Sequence, residues 1–402
     1  MYELDADILD ERQQQVHIRS FCTTQNIVLF LPMKTLRVDH VGSLLRPEPL
    51  KEAFRRFASN QMSLEELKKR QDDAIRDVVH RQEALGLPVV TDGEYRRLNW
   101  QVSFSEVEGW DMWATSWEHF RRMPENRAPG EKPLTKGEDA VLSFRTPVTA
   151  RLSLKRNFSL EEFQFIKRPA AKITLMGPDR VTQMSDYAAS GSYDSREAFL
   201  ADVVRIQREM VAGLAQAGCR YVQIDEPSYT GYVDPATLER MRARGEDPLK
   251  LLRRAIDADN ALIEGFEHTV FGLHVCRGNR ASMWHREGKY DAIAEALFGG
   301  LKYHRLLLEY DTERAGGFEP LRFVPKGTIA VLGLITTKTG KAETVDELCR
   351  RIEDAARFSP LEQLALSPQC GFASGIGGNL LTEDEQWRKL EVMMEVARKV
   401  WQ

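Results

Sequence analysis

The chain is predicted to be an α/β protein of the TIM-barrel class, with eight strand–helix units and one long insertion between strands 2 and 3. Three observations predict it. Eight short apolar segments recur, at 36–40, 88–92, 172–176, 221–225, 270–274, 305–309, 329–335 and 364–366. Several are near-continuous apolar runs, as strands buried on both faces of a parallel sheet must be. Helical patterns fall between them, at 64–84, 195–217, 248–265, 290–301, 344–357 and 383–400. Ser195 followed by Glu197 has the form of a helix start. Strand alternating with helix implies right-handed βαβ units and a parallel sheet. A doubly wound open sheet is the alternative. It is weakened by the third observation: no GxGxxG follows the first strand and no GxxxxGK[ST] occurs.

Composition narrows the function classes. A chain of 402 residues, 42% of them hydrophobic, can bury a large core, as one barrel or two ordinary domains. Fifty-six basic against 60 acidic residues give a net charge of −4 without a strong basic block, so nucleic acid and anionic membrane are poor partners. No apolar stretch approaches the roughly 18–20 residues of a membrane span. Five irregularly spaced cysteines do not resemble a disulfide framework, and thiol ligands need a reducing compartment, so a cytoplasmic location is expected. Residues 1–14 are polar and charged, and the apolar run at 27–31 is too short for a secretory signal. Residues 1–33 are therefore expected to be a disordered N-terminal extension and 34–402 a single barrel domain. The insertion, about 100–170, carries Trp110, Trp113 and Trp117 and a hairpin expected around 148–154. A connection this long is usually functional, here a lid whose indoles could stack on a flat donor ring; an aromatic-pinned shield or a dimer interface is the alternative.

Catalytic groups of a TIM barrel gather at the C-terminal strand ends. Those ends carry Asp39, His40 and Ser43; Asp92 and Glu94; Asp179; Asp225 and Glu226; His274 and Cys276; Glu309 and Asp311; Thr336 and Lys338; and Cys370. A His-x-Cys pair on one strand end and a third thiol nearly a hundred residues later select zinc. The wide spacing suits an open catalytic site better than a structural one. Buried packing of His274 and Cys276 is the bland alternative, since free cysteine is commonly buried. One carboxylate at a strand end often only caps the next helix; several on a rim that also holds His and two Cys point to a site. Zinc in such a site could hold a substrate thiol as thiolate. Two cysteine ligands reduce its Lewis acidity, which suits sulfur alkylation better than water activation. Asp225 and Glu94 could then pair with a substrate ammonium group.

At these residues the chain resembles the catalytic C-terminal barrel of cobalamin-independent methionine synthase. It looks closer still to shorter single-barrel relatives, which include epoxyalkane:coenzyme M transferases. The likeness runs from about Thr35 to the C-terminus, on His40-Val41-Gly42-Ser43, Asp92-Gly93-Glu94, Gln223-Ile224-Asp225-Glu226-Pro227, His274-Val275-Cys276, Leu308-Glu309 and Ser367-Pro368-Gln369-Cys370-Gly371. The resemblance implies zinc on His274, Cys276, Glu309 and Cys370. It also implies an amino-acid thiol held by Ser43, Glu94 and Asp225, with Asp225 and Glu94 the catalytic candidates. The expected activity is methyl transfer from a methyltetrahydrofolate-type donor to homocysteine, in a chain that could form a homo-oligomer. The full-length synthase has a second, N-terminal barrel that helps hold the folate, and there is no room for it here. An Arg277-Gly278-Asn279 run follows the metal pair, where an arginine could bind the sulfonate of coenzyme M or serve only as a structural partner. Alkylation of another thiol by an epoxide and a non-catalytic zinc- or thiol-binding barrel are the competing readings.

Overall fold

The computed structural model describes residues 35–123, 126 and 146–401; the expected N-terminal extension and the middle of the insertion lie outside them. The helices are α1 Glu48–Ala58, α2 Leu64–Leu85, α3 Trp113–Arg122, α4 Phe158–Ile166, α5 Pro178–Met184, α6 Arg196–Gln216, α7 Pro235–Ala243, α8 Pro248–Ile263, α9 Ala294–Gly300, α10 Val345–Ala355 and α11 Glu383–Trp401. The main sheet has six parallel strands: β1 Lys172–Met176, β2 Tyr221–Asp225, β3 Val270–Val275, β4 Arg305–Glu309, β5 Ile329–Ile335 and β6 Leu364–Pro368. Each pairs with its neighbour in sequence, and every residue in all six is buried. That burial is why these segments read as unbroken apolar runs.

Helix boundaries follow local chemistry. Ser63 and Thr344 close capping boxes with Glu66 and Glu347, and Gly86 ends α2 in the left-handed region at φ 77°. Ser195 caps α6 by accepting from the Ala198 amide. Pro178, Pro235 and Pro248 open α5, α7 and α8, where no amide hydrogen is needed.

The two segments expected as the first strands are shorter than anticipated. Each is reduced to one parallel bridge, Val38 beside Leu366 of β6 and Val90 beside Ala171 at the start of β1. Pro88 has no amide hydrogen to give, and Gly42 and Gly93 turn the chain away at φ 142° and 68°. The segments bond to each other: Thr91 Oγ1 donates to the Gly42 carbonyl at 2.7 Å and the Leu44 amide to that of Gly93 at 3.1 Å.

The expected hairpin around 148–154 does not form. Ser153–Leu154 instead pairs antiparallel with Val107–Glu108, and Thr146–Pro147 runs parallel to Ser185–Asp186. These long-range pairings fasten the insertion to the body. Trp117 packs on Phe54, Phe57 and Phe120, and Trp113 stands edge-on to Phe158. Those two indoles therefore contribute to packing against α1 and α4. The insertion also borders the loop after β6, through the Trp100 amide on Ser374 O at 3.0 Å and the Ile376 amide on Leu98 O at 2.8 Å. Among the described residues no helix is long and apolar enough to cross a membrane.

Candidate metal centre and substrate pocket

His274 lies in β3 and Cys276 directly follows it, two positions apart and so on the same face of the chain. Cys370 follows β6, whose register shifts between Ser367 and Pro368. Such irregularities re-aim side chains beside functional sites. The ligand atoms of His274, Cys276 and Cys370 all lie within 4.8 Å of one another, and all three residues are buried. The sulfurs are 3.3 Å apart, as free thiols.

His274 Nδ1 meets the Leu307 carbonyl at 3.3 Å, while Nε2 is buried without a hydrogen-bond partner. With Nδ1 as donor, Nε2 presents a lone pair. A metal-ligating imidazole is arranged in this way, its other nitrogen fixed on a backbone carbonyl. The Cys276 thiol is held well above its ordinary range by the hydrogen bond with Cys370 and by burial. The Gly278 amide also points at Cys276 Sγ, at 3.2 Å. One orphaned nitrogen beside two crowded sulfurs fits a soft divalent cation. Glu309, at the end of β4, is buried but falls outside this three-residue group, and its Oε2 accepts from the Arg277 amide at 2.9 Å.

A chain of hydrogen bonds fixes Asp225. Lys172 Nζ donates to Gln223 Oε1, and Gln223 Nε2 donates to Asp225 Oδ1, both at 2.7 Å. The lysine thus sets which way the amide points. Gln223 and Asp225 share a strand face, so their spacing carried this signal in the sequence. Burial, partly opposed by His274, pushes Asp225 up to about 6, and the charge of Glu94 adds to the rise.

Glu94 adopts a left-handed backbone, φ 60°, directly after Gly93. That is a costly conformation for a side-chain-bearing residue and recurs at functional sites. Asp92 supports it, its Oδ1 accepting from the Glu94 amide at 2.8 Å. Glu94 Oε1 accepts from Thr174 Oγ1 at 2.7 Å and faces Arg97 Nη1 at 3.3 Å, while Oε2 is buried with no partner. Arg97 is in turn clamped by both oxygens of Glu162, at 2.8 and 2.6 Å. Neither Arg97 nor Glu162 was picked out in the sequence, because their pairing spans 65 residues.

Ser43 stands beside the cysteine loop. A Cβ on Gly371 would lie 2.0 Å from Ser43 Oγ, so only glycine fits after Cys370. Of the two roles open to Arg277, sulfonate ligand or structural partner, its contacts are those of the second. Its guanidinium donates to the Gly288 and Glu309 carbonyls and to Tyr290 Oη, with the Tyr290 ring 4.3 Å below.

Residues 155–399 match the family model described as the cobalamin-independent synthase, catalytic domain. The chain is 39% identical over 373 residues to the uncharacterised protein YxjH of Bacillus subtilis, covering 91% of this chain and 94% of that one. A methionine synthase of Pyrococcus abyssi is 23% identical, over 92% and 94% of the two chains. Among solved structures, a Listeria monocytogenes protein provisionally named a vitamin-B12-independent methionine synthase superposes with a TM-score of 0.70 at 29% identity, covering 91% of this chain and 98% of that one. A B12-independent methionine synthase from Shewanella shares the fold, with a TM-score of 0.66 at 20% identity over 91% and 98%. With a family model spanning more than half its length and a 39% identical relative along nearly all of it, this chain belongs to the cobalamin-independent synthase catalytic-domain family of methyltransferases.

Proposed function

We propose that this protein is a zinc-dependent S-methyltransferase that moves a methyl group from a 5-methyltetrahydrofolate-type donor to homocysteine. One observation carries the reading: a His–Cys–Cys donor set stands on the same strand ends as Asp225, Glu94 and Ser43. His274, Cys276 and Cys370 would hold the ion, with Glu309 as the residue that would complete the set. Bound zinc would supply a thiolate at neutral pH from an acceptor thiol that is otherwise mostly protonated.

The protein's own groups do the rest. The charge of Glu94 adds to the cost of ionising Asp225, and a substrate ammonium beside them would relieve it. Ser43 offers a hydroxyl to the same substrate. Lys172 and Gln223 keep Asp225 in place, and Arg97 and Thr174 do the same for Glu94. In this reading the segments at Val38 and Val90 complete an eight-stranded barrel in one domain. The four buried free cysteines among the described residues suit a cytoplasmic setting.

The test is an acceptor screen on zinc-loaded protein, with homocysteine, coenzyme M and buffer alone offered against methyltetrahydrofolate and against epoxides. Methionine formation supports the reading. Product only from an epoxide and coenzyme M would replace it with the other thiol alkylation, for which Arg277, turned onto backbone carbonyls, gives no support.

Asp225→Asn should raise the KM for homocysteine about tenfold or more while zinc content stays at the wild-type level. Asp225 is charged above about 6 and neutral below it. Wild-type KM should therefore climb as pH falls through that value, and the Asn variant should lose this limb. Loss of zinc from the variant would make Asp225 a ligand or a support of one, against the proposal.

A further inference from the structure

The Arg277-Gly278-Asn279 run directly follows the His274–Cys276 pair, and Lys338 lies just beyond β5. Arg277 is turned onto backbone carbonyls, which leaves the other two residues of the run to account for. Gly278, at φ 97°, has no room for a side chain, since a Cβ would lie 2.2 Å from the His285 ring. Its amide reaches Cys276 Sγ at 3.2 Å, and its carbonyl accepts from Lys338 Nζ at 2.7 Å. Asn279 crosses to the other thiol loop. Its Nδ2 donates to the carbonyl of Gly371, the residue after Cys370, at 2.5 Å and to Ser374 Oγ at 3.2 Å.

Lys338 decides which way the Asn279 amide points. An ammonium only donates, so the atom facing Nζ at 2.7 Å must be Oδ1, and Nδ2 must then face Gly371. Asn379 Nδ2 donates to the same oxygen at 2.8 Å, so both ends of the Asn279 amide are fully used. Lys338 gives its third hydrogen to the Met283 carbonyl at 3.1 Å, still within the loop after β3. Asn279, Lys338 and Asn379 are all buried. They come from the loops after β3, β5 and β6, and the first and last of these loops carry thiols 3.3 Å apart.

We propose that Asn279, oriented by Lys338, is a positioning residue that fastens the Cys276 loop to the Cys370 loop and sets the spacing of the two thiols for the metal. This rests on the zinc reading for the ion, though not for the clip between the loops. A bond that fixes a ligand-bearing loop preorganises the donor set, and loss of such a support typically costs about 10–100-fold in metal affinity. Asn279→Asp separates this role from packing. A carboxylate has nearly the same shape and keeps Lys338 satisfied, but its second oxygen would face the Gly371 carbonyl with no hydrogen to give.

The experiment measures zinc affinity by chelator competition on wild type, Asn279→Asp and Lys338→Met. Thermal unfolding of the metal-free proteins and the absorption spectrum after cobalt(II) loading accompany it. Both variants should hold zinc at least about tenfold more weakly. In Asn279→Asp the sulfur-to-cobalt charge-transfer bands should lose intensity while the metal-free protein melts with the wild type. Phenylarsine oxide, which grips two thiols held close together, reads their spacing without a metal, with Cys276→Ala as background. Asn279→Asp should capture it more weakly by the same order. Wild-type zinc affinity and an unchanged cobalt spectrum in Asn279→Asp would overturn the proposal. So would a fall in affinity matched by an equal loss of metal-free stability, which packing alone explains. Wild-type affinity in Lys338→Met alone would overturn the orienting role of the lysine. If the wild type takes up neither zinc nor cobalt, the zinc reading falls. Weakened arsenical capture would then sustain the clip, and unchanged capture would overturn it.

Discussion

Cys276→Ala is expected to lose metal and methyl transfer together, with transfer to homocysteine falling at least about 1,000-fold. A free thiol with a pKa near 8.5 is only about 3% ionised at pH 7, so losing its activation alone accounts for roughly 30-fold. The remainder comes from losing the fixed position of the sulfur against the donor. Removing an outer partner of a ligand typically costs about 10–100-fold in metal affinity, and removing a ligand should cost more. Cys349→Ala is the control: that thiol is buried in α10 away from the donor set, and its loss should leave metal content unchanged. Metal analysis of both variants after dialysis decides the matter. Full metal retention by Cys276→Ala would remove this residue from the site.

The second large effect is on stability. Asp39→Asn should destabilise the protein by about 3–5 kcal/mol, the cost of breaking a buried ion pair from one side. Asp39 accepts from Lys172 Nζ at 2.7 Å, Tyr221 Oη at 2.6 Å and Arg305 Nε at 3.1 Å, with the ionic side chains fully buried. Lys172, Tyr221 and Arg305 open β1, β2 and β4, so the cluster ties the starts of three strands together. Burial alone would raise the Asp39 pKa, yet Lys172 and Arg305 outweigh it and bring it to about 2. A depressed carboxylate stabilises the fold above its unfolded value, near 3.8, and the contribution is lost as pH falls towards 2. That acid limb should be missing from the Asn variant. Denaturant melts at pH 7 and pH 3 measure both effects, and coincident melts at pH 7 would contradict the argument.

Much of this was legible in the sequence, for identifiable reasons. β1 to β6 are buried on both faces, so composition alone marks them. The segments at 36–40 and 88–92 are less continuously apolar, and Pro88, Gly42 and Gly93 cut their pairing to single bridges. Strand ends in this architecture gather polar residues, and that rule led from scattered motifs to His274, Cys276, Cys370, Asp225, Glu94 and Ser43. It could not say which neighbour holds which. The Arg97–Glu162 clamp and the Lys172–Gln223 relay depend on side chains far apart in sequence. The segment at 148–154 has local hairpin character, yet its strands find partners at Val107–Glu108 and Ser185–Asp186, where tertiary pairing overrides local preference. Arg277 shows the same limit: its position beside the metal pair left a sulfonate ligand and a structural partner equally open, and its contacts are all internal.

The central claim is that His274, Cys276 and Cys370 form a zinc site open to the acceptor thiol. X-ray absorption at the zinc edge, on protein loaded with one equivalent of metal, tests it most directly. The expected coordination is two sulfurs at about 2.3 Å and a nitrogen at about 2.0–2.1 Å, with an oxygen completing the shell. Adding homocysteine should raise the sulfur count by one at the expense of the oxygen. A shell without sulfur, or a sulfur count that homocysteine leaves unchanged, would contradict it.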